Sequence, residues 1–409
     1  MNQDNFPTRW QSRRPDFLAH GLYGSLEPYF RGMRAKAPLD LSFKKWRDAH
    51  EGGAFADWQK EARDFVLSSL AYEAGPPDLL AEVLSVERRT GYVLERVAFQ
   101  TAPWCRVDGI FARPHGEGPY PAVIVLHSWG GPMILGKERV FPLGPMHPRL
   151  GELLDRAYGG KFVGEELVAR GYAVLTIDAH HFSSRLPWGA RILASQSEPW
   201  LPQKPDILAL GVEEFDRLDA KAKEMLDFAY RYVGWAGTTW TGINFGDDSR
   251  CVDYLLSRPE VDGTRIGCMG QSGGGYRSHF LAALDSRVRS SVSSCWFTTG
   301  DWTQAYKLLG PIGPAHLVPG LWRRMDLPDV ALLAAPQAKL IICGQDDPLF
   351  APEAMEEAAG VVRDGYAWAG ASGSFQFFFP TKPHCFDAEC QDVAWTFLER
   401  SLKSPDKLL

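Results

Sequence analysis

The sequence predicts an α/β fold, with a mostly parallel central sheet flanked by helices. Three observations carry this. Short apolar runs such as Ala122–Leu126, Ala173–Ile177 and Lys339–Cys343 suit strands buried on both faces. Helix-compatible stretches lie between them, as right-handed crossovers between parallel strands require. The stretch Gly270-Gln271-Ser272-Gly273-Gly274 joins one apolar run, Arg265–Met269, to a helix-compatible segment, Tyr276–Leu284.

The elements follow in chain order. Residues 1–80 read as a helical arm: Trp58, Ala62, Phe65, Val66 and Leu70 share one helical face, with Asp57 as N-cap and Gly75-Pro76-Pro77 as terminator. From Glu82 to Arg113 the pattern turns strand-like, notably Tyr92–Phe99 and Arg106–Ala112, and predicts a β-meander. The central alternation then begins with Ala122–Leu126. It continues through a helix at Gly164–Arg170, a strand at Ala173–Ile177, a helix at Ser249–Ser257, and strands at Arg265–Met269, Val288–Cys295, Lys339–Cys343 and Phe375–Phe379. The expected organisation is therefore an arm at 1–80 and one α/β domain at 81–409. Connections at about 131–160, 180–246 and 298–329 are too long for plain crossovers, and the second holds a helix near Glu213–Tyr232. They are expected to form a cap over the carboxyl ends of the strands.

Composition narrows the function. At 45% hydrophobic and 12% aromatic, the 409 residues can bury a large core. A net charge of −6 disfavours nucleic acid, which needs clustered cations, although Arg9, Arg13, Arg14, Arg31 and Arg34 gather near the N-terminus. Apolar runs of membrane-spanning length are missing, and the first residues lack the basic-then-apolar order of a secretory signal. Seven cysteines without CxxC spacing suit reduced thiols. The expectation is a cytoplasmic protein, bound neither to membrane nor to nucleic acid, with no cofactor and no metal. His180 and His181 follow Asp178, but sequence spacing supplies no third metal ligand.

The chemistry-bearing residues occupy strand ends. A serine with glycine at ±2, between strand and helix, fits a strained turn that presents the hydroxyl at the start of a helix. A serine hydroxyl needs a base, and the base an orienting acid. In Gly344-Gln345-Asp346-Asp347-Pro348, just past a strand, Asp347 is the preferred acid and Asp346 the alternative; Asp301 is a remote option. His384, in Lys382-Pro383-His384-Cys385 after the last strand, is the candidate base. Donors for a developing oxyanion would be the N–H groups of Gly273 and Trp129, the latter in the turn His127-Ser128-Trp129-Gly130. His127 itself reads as a structural brace. Trp188, Trp240 and Trp296 could line a substrate pocket, as could Trp200, Trp235, Trp302 and Trp322. Arg185 and Lys137 are candidates for polar substrate groups.

With these residues in place, the chain resembles the α/β-hydrolase superfamily, and within it bacterial acetyl xylan esterase-like and dienelactone-hydrolase-like serine esterases. The resemblance rests on Pro121–His127, Gly171–Asp178, Val252–Asp262, Arg265–Gly275, His316–Leu321 and Gly344–Asp347, and spans roughly residues 80–400. It implies an α/β-hydrolase fold with Ser272 as nucleophile, Asp347 as acid and His384 as base, acting on a small-molecule ester. Ser128 departs from the usual glycine, and His180-His181-Phe182 from the usual small residues. A C–C hydrolase or an amidase or peptidase could use the same three side chains. A binding protein that kept the fold without the chemistry is the alternative of another class. Neither the acyl and alcohol parts nor the oligomeric state is legible in the sequence.

Overall fold

A computed structural model describes residues 29, 32–33, 35–73, 75–76, 78–188, 204–300 and 313–404. The expected Asp301, Trp200 and Trp302, and the arginines at 9, 13, 14, 31 and 34, lie outside the described residues.

Nine strands among these residues form one sheet, in the order β1-β2-β3-β5-β4-β6-β7-β8-β9. They are β1 (Glu82–Arg89), β2 (Tyr92–Ala102), β3 (Cys105–Pro114), β4 (Tyr120–Leu126), β5 (Ala173–Ile177), β6 (Val261–Gln271), β7 (Val288–Ser294), β8 (Ala338–Ile342) and β9 (Phe375–Phe378). The meander β1–β3 is antiparallel and joins β5 antiparallel, while β5, β4, β6, β7, β8 and β9 run parallel. Chain order reverses about β4, whose neighbours are β5 and β6. In open α/β sheets the carboxyl ends at such a switch point frame a crevice.

Among the described residues the α-helices of six residues or more are α1 (Phe43–Ala49), α2 (Phe55–Ser69), α3 (Pro148–Tyr158), α4 (Val163–Ala169), α5 (Val212–Trp235), α6 (Trp240–Leu256), α7 (Gly273–Leu284), α8 (Leu327–Leu332), α9 (Pro352–Trp368) and α10 (Ala388–Leu398). Strand periodicity sorts them onto two faces. On β4, Ala122, Ile124 and Leu126 join a core with α2, α6, α7, α8 and α9, while Val123 and Val125 join one with α3, α4, α5 and α10. The N-terminal arm belongs to the first core: Phe43, Trp58, Ala62 and Val66 are fully buried. The Phe43 N–H also donates to Asp329 Oδ1 at 3.0 Å.

Some boundaries differ from expectation. Helix α2 begins after Ala54, so Asp57 lies in the first turn and not at the cap. An acid there still faces the positive end of the helix dipole. Helix α6 starts nine residues before the expected Ser249, capped by Thr239, whose Oγ1 accepts from Gly242 N. Strand β7 stops at Ser294 because Cys295 turns to φ 58°. The connection 131–160 contains α3, and 180–246 contains α5 and the start of α6. No helix among the described residues is long and apolar enough to cross a membrane.

Candidate active site

Ser272 lies between β6 and α7, at φ 56°, ψ −122°. A side-chain-bearing residue with positive φ is costly and persists only where its surroundings impose it. Here they do so on both sides. The Ser272 N–H donates to Ser294 O at 2.7 Å, and Tyr276 N–H to Ser272 O at 3.0 Å. A Cβ on Gly274 would lie 1.9 Å from Leu126 O, and one on Gly270 would lie 2.3 Å from the Gly274 backbone. Glycine at both flanking positions is thus dictated by backbone contact.

The turn after β4 meets this elbow. A Cβ on Gly273 would stand 2.5 Å from Trp129 Cβ and 3.1 Å from Trp129 N, so the two backbones are in contact. Gly273 is the first residue of α7, where N–H groups have no intrahelical acceptor. Trp129 N–H donates to no hydrogen bond among the described residues. The β4 turn is held from behind by Arg139, a fully buried residue that carries no sequence motif. Its Nη1 donates to Ser128 O, Ser128 Oγ and Gly130 O at 2.7–2.8 Å; Nε donates to Leu135 O at 3.0 Å, and Nη2 to Pro132 O. Burial lowers its pKa to about 10. Ser128, which stands where the resemblance expects glycine, thus uses its hydroxyl as one more acceptor for this guanidinium.

His127 braces the same turn. Its Nδ1 bonds to Ser128 O at 2.9 Å, and Ala179 N–H donates to its Nε2 at 3.0 Å. A backbone N–H on Nε2 leaves the ring proton on Nδ1. Burial keeps the ring neutral, with its pKa pushed down to about 3.

Asp347 and His384 meet across the ends of β8 and β9. His384 Nδ1 donates to Asp347 Oδ2 at 2.6 Å, and Leu349 N–H donates to Asp347 Oδ1 at 2.9 Å. Asp346 is exposed and has its N–H on Lys382 O at 3.1 Å. Its carboxylate makes no bond to His384 among the described residues. With Nδ1 donating to a carboxylate, Nε2 is the basic nitrogen. No hydrogen bond joins it to Ser272 Oγ among the described residues; such contacts often tighten only when substrate binds. The bridge between the two centres is Ser294-Cys295. Ser294 O takes the Ser272 N–H, and Cys295 Sγ donates to Cys385 O at 3.2 Å, one residue past His384.

Aromatic rings line the neighbourhood. Trp129 packs against Phe182 (4.9 Å between centroids), Trp240 (5.8 Å) and His316 (5.7 Å), and His316 against Tyr276 (4.8 Å) and Trp296 (5.5 Å). Trp240 and Trp296 are each 3% exposed, so they act as walls and not as open platforms. Trp188 donates its Nε1 to Ser183 O at 2.7 Å. Trp235, at 92% exposed, stands at the end of α5.

The two cations considered for substrate are engaged inside the protein. The Arg185 side chain is 8% exposed and bonds Asp247, the Asp178 carbonyl, Cys105 Sγ and His180 Nε2. Lys137 is paired with buried Asp178. Burial by itself would raise the Asp178 pKa, but the Lys137 ammonium holds it well below the usual carboxylate range. The structure also brings together two sets of possible metal ligands that no sequence spacing announced: Cys105, His180 and Asp247, and Cys295, Asp347 and His384. In the first set the Arg185 guanidinium already bonds all three.

No family model matches the chain. It is similar to YtaP of Bacillus subtilis (strain 168), a presumed hydrolase, at 26% identity over 322 residues, covering 78% of this chain and 92% of that one. A presumed acetyl xylan esterase from Bacteroides fragilis NCTC 9343 superposes with a TM-score of 0.65 at 17% identity, covering 87% of this chain and 82% of that one. A glucuronoyl esterase from Solibacter usitatus gives 0.57 at 15%, covering 84% and 93%. The chain has the α/β-hydrolase fold.

Proposed function

We propose that this protein is a serine hydrolase of carboxylic esters, working through an acyl-enzyme. The observation that carries the reading is the strained Ser272 at the mouth of α7, on the same sheet edge as the Asp347–His384 pair. In this mechanism His384 Nε2 takes the Ser272 proton as Oγ attacks the ester carbonyl. Asp347 stabilises the imidazolium that forms, and the N–H groups of Gly273 and Trp129 receive the oxyanion. The alcohol leaves with the proton from His384. Water, activated by the same ring, then releases the acid, so each proton taken is returned. Both solved structures named above are called esterases of carbohydrate-related substrates, and this favours an acetylated or otherwise esterified sugar.

The test is a fluorophosphonate probe followed by a substrate panel. Wild-type protein should label at Ser272, and Ser272→Ala should neither label nor turn over acetyl esters while keeping its circular dichroism spectrum. Labelling with turnover of amides or β-diketones but not esters would keep the nucleophile and replace the substrate class. Absent labelling of folded wild-type protein would favour a binding role and end the reading.

A further inference from the structure

Two clusters of thiol, imidazole and carboxylate occur among the described residues. In each, one ligand atom per residue lies within 4.8 Å of the others. They differ in what fills them. Around Cys105, His180 and Asp247, Arg185 supplies a fixed positive charge and bonds to all three. Around Cys295, Asp347 and His384, no Lys or Arg bonds to the three side chains among the described residues. Lys382, the nearest cation in sequence, is paired with Asp387 and Glu389.

We propose that Cys295, Asp347 and His384 form an inhibitory site for a thiophilic divalent cation, with zinc the best fit. Cysteine, histidine and aspartate are the donors zinc prefers, and three protein ligands leave a fourth position for water. The three side chains stand in the segments that follow β7, β8 and β9, three adjacent parallel strands. Cys295 is held at φ 58° beyond the end of β7, a strained conformation that aims it away from the regular strand pattern. Bond lengths of about 2.0–2.3 Å place tetrahedral donors about 3.3–3.8 Å apart. The 2.6 Å His384–Asp347 contact must therefore open, while no pair of ligand atoms starts more than 4.8 Å apart.

The step balances. Zinc bonds Cys295 Sγ, and the thiol proton passes to solvent. Zinc also takes His384 Nδ1 and Asp347 Oδ2, and the Nδ1 proton moves through water to Nε2. The ring is then neutral with its proton on Nε2, so it has no lone pair left to receive a proton from Ser272. Chelation reverses both changes.

This inference rests on the proposed role of His384 only for the loss of activity; the binding itself does not depend on it. The experiment uses full-length protein with buffered free zinc. Zinc binding is read by competition with a chromophoric chelator, and hydrolysis of p-nitrophenyl acetate is followed in parallel. One zinc should bind per chain, and activity should fall along the same curve. Cobalt should give a thiolate charge-transfer band. Cys295→Ala should need at least about tenfold more zinc for half-occupancy, and for half-inhibition of its own zinc-free rate. Cys295→Ser serves if the alanine variant does not fold. Ser272→Ala should bind zinc as wild type does. Equal zinc affinity in the folded Cys295 variants, or no thiolate band, overturns the site. Zinc bound at Cys295 without any esterase activity to lose would support the site and count against the ester-hydrolase reading instead.

Discussion

At the scale of single residues, the site depends on atoms that leave no room for alternatives. Gly274 is the sharpest case, because an added Cβ would meet a main-chain oxygen of β4 at 1.9 Å, and backbone cannot step aside as a flexible side chain can. Gly274→Ala should cost about 4 kcal/mol or more, or prevent folding, in urea denaturation followed by circular dichroism. A variant within about 1 kcal/mol of wild type would refute the close packing of β4 on the elbow. The glycine spacing around Ser272 was readable in the sequence because the backbone demands it. Cys295 was not, since nothing in Ser294-Cys295-Trp296 announces a left-handed residue; only the neighbouring strands and the β9 loop place it.

At the scale of elements, the turn after β4 owes its shape to Arg139, eleven residues beyond Ser128. The guanidinium satisfies Ser128 O, Gly130 O, Pro132 O and Leu135 O together. Replacing it with methionine keeps most of the volume and takes the donor from Gly130 O and Leu135 O, while Ser128 O keeps His127 Nδ1 and Pro132 O keeps the Leu135 N–H. Arg139→Met is expected to lose more than about 2 kcal/mol of stability. If Trp129 N–H serves the oxyanion, kcat should also fall by about 10²–10³ with KM little changed. A kcat that stays at the wild-type value would separate this brace from catalysis. The strands themselves were legible from their apolar runs, and the start of α6 was not. Its first turn, Trp240-Thr241-Gly242, holds no helical period that a reader could recognise, and its position is set by Thr239 bonding both Gly242 N and Leu70 O.

At the scale of the molecule, two cores lie back to back on one sheet, and charged pairs are enclosed where insertions meet it. Lys137–Asp178 links the 131–160 connection to the end of β5. The Asp178 pKa in the fold lies below its ordinary value of about 3.8. Its contribution to stability is therefore complete above that value and is lost as pH falls below it. Lys137→Met should destabilise the protein by about 3–5 kcal/mol at pH 7, since it leaves a buried carboxylate without its cation. The variant should also show a shallower loss of urea midpoint on acidification than wild type. Parallel acid profiles would show that the pair does not couple to folding.

The sequence alone determined the sheet, the order of its strands along the chain and the elbow, because burial and backbone sterics write themselves into local residue patterns. It also preferred Asp347 to Asp346 as the candidate acid, with Asp301 as a remote option, and offered His384 as the candidate base. What needed the third dimension was every relation between distant segments. Asp347 rather than Asp346 faces His384 because the turns after β8 and β9 bond through Asp346 N and Lys382 O. Arg185 is turned inward because Asp247, 62 residues away, waits there. Such choices follow from which charges and donors a packed interior brings within reach, and local sequence carries no record of them.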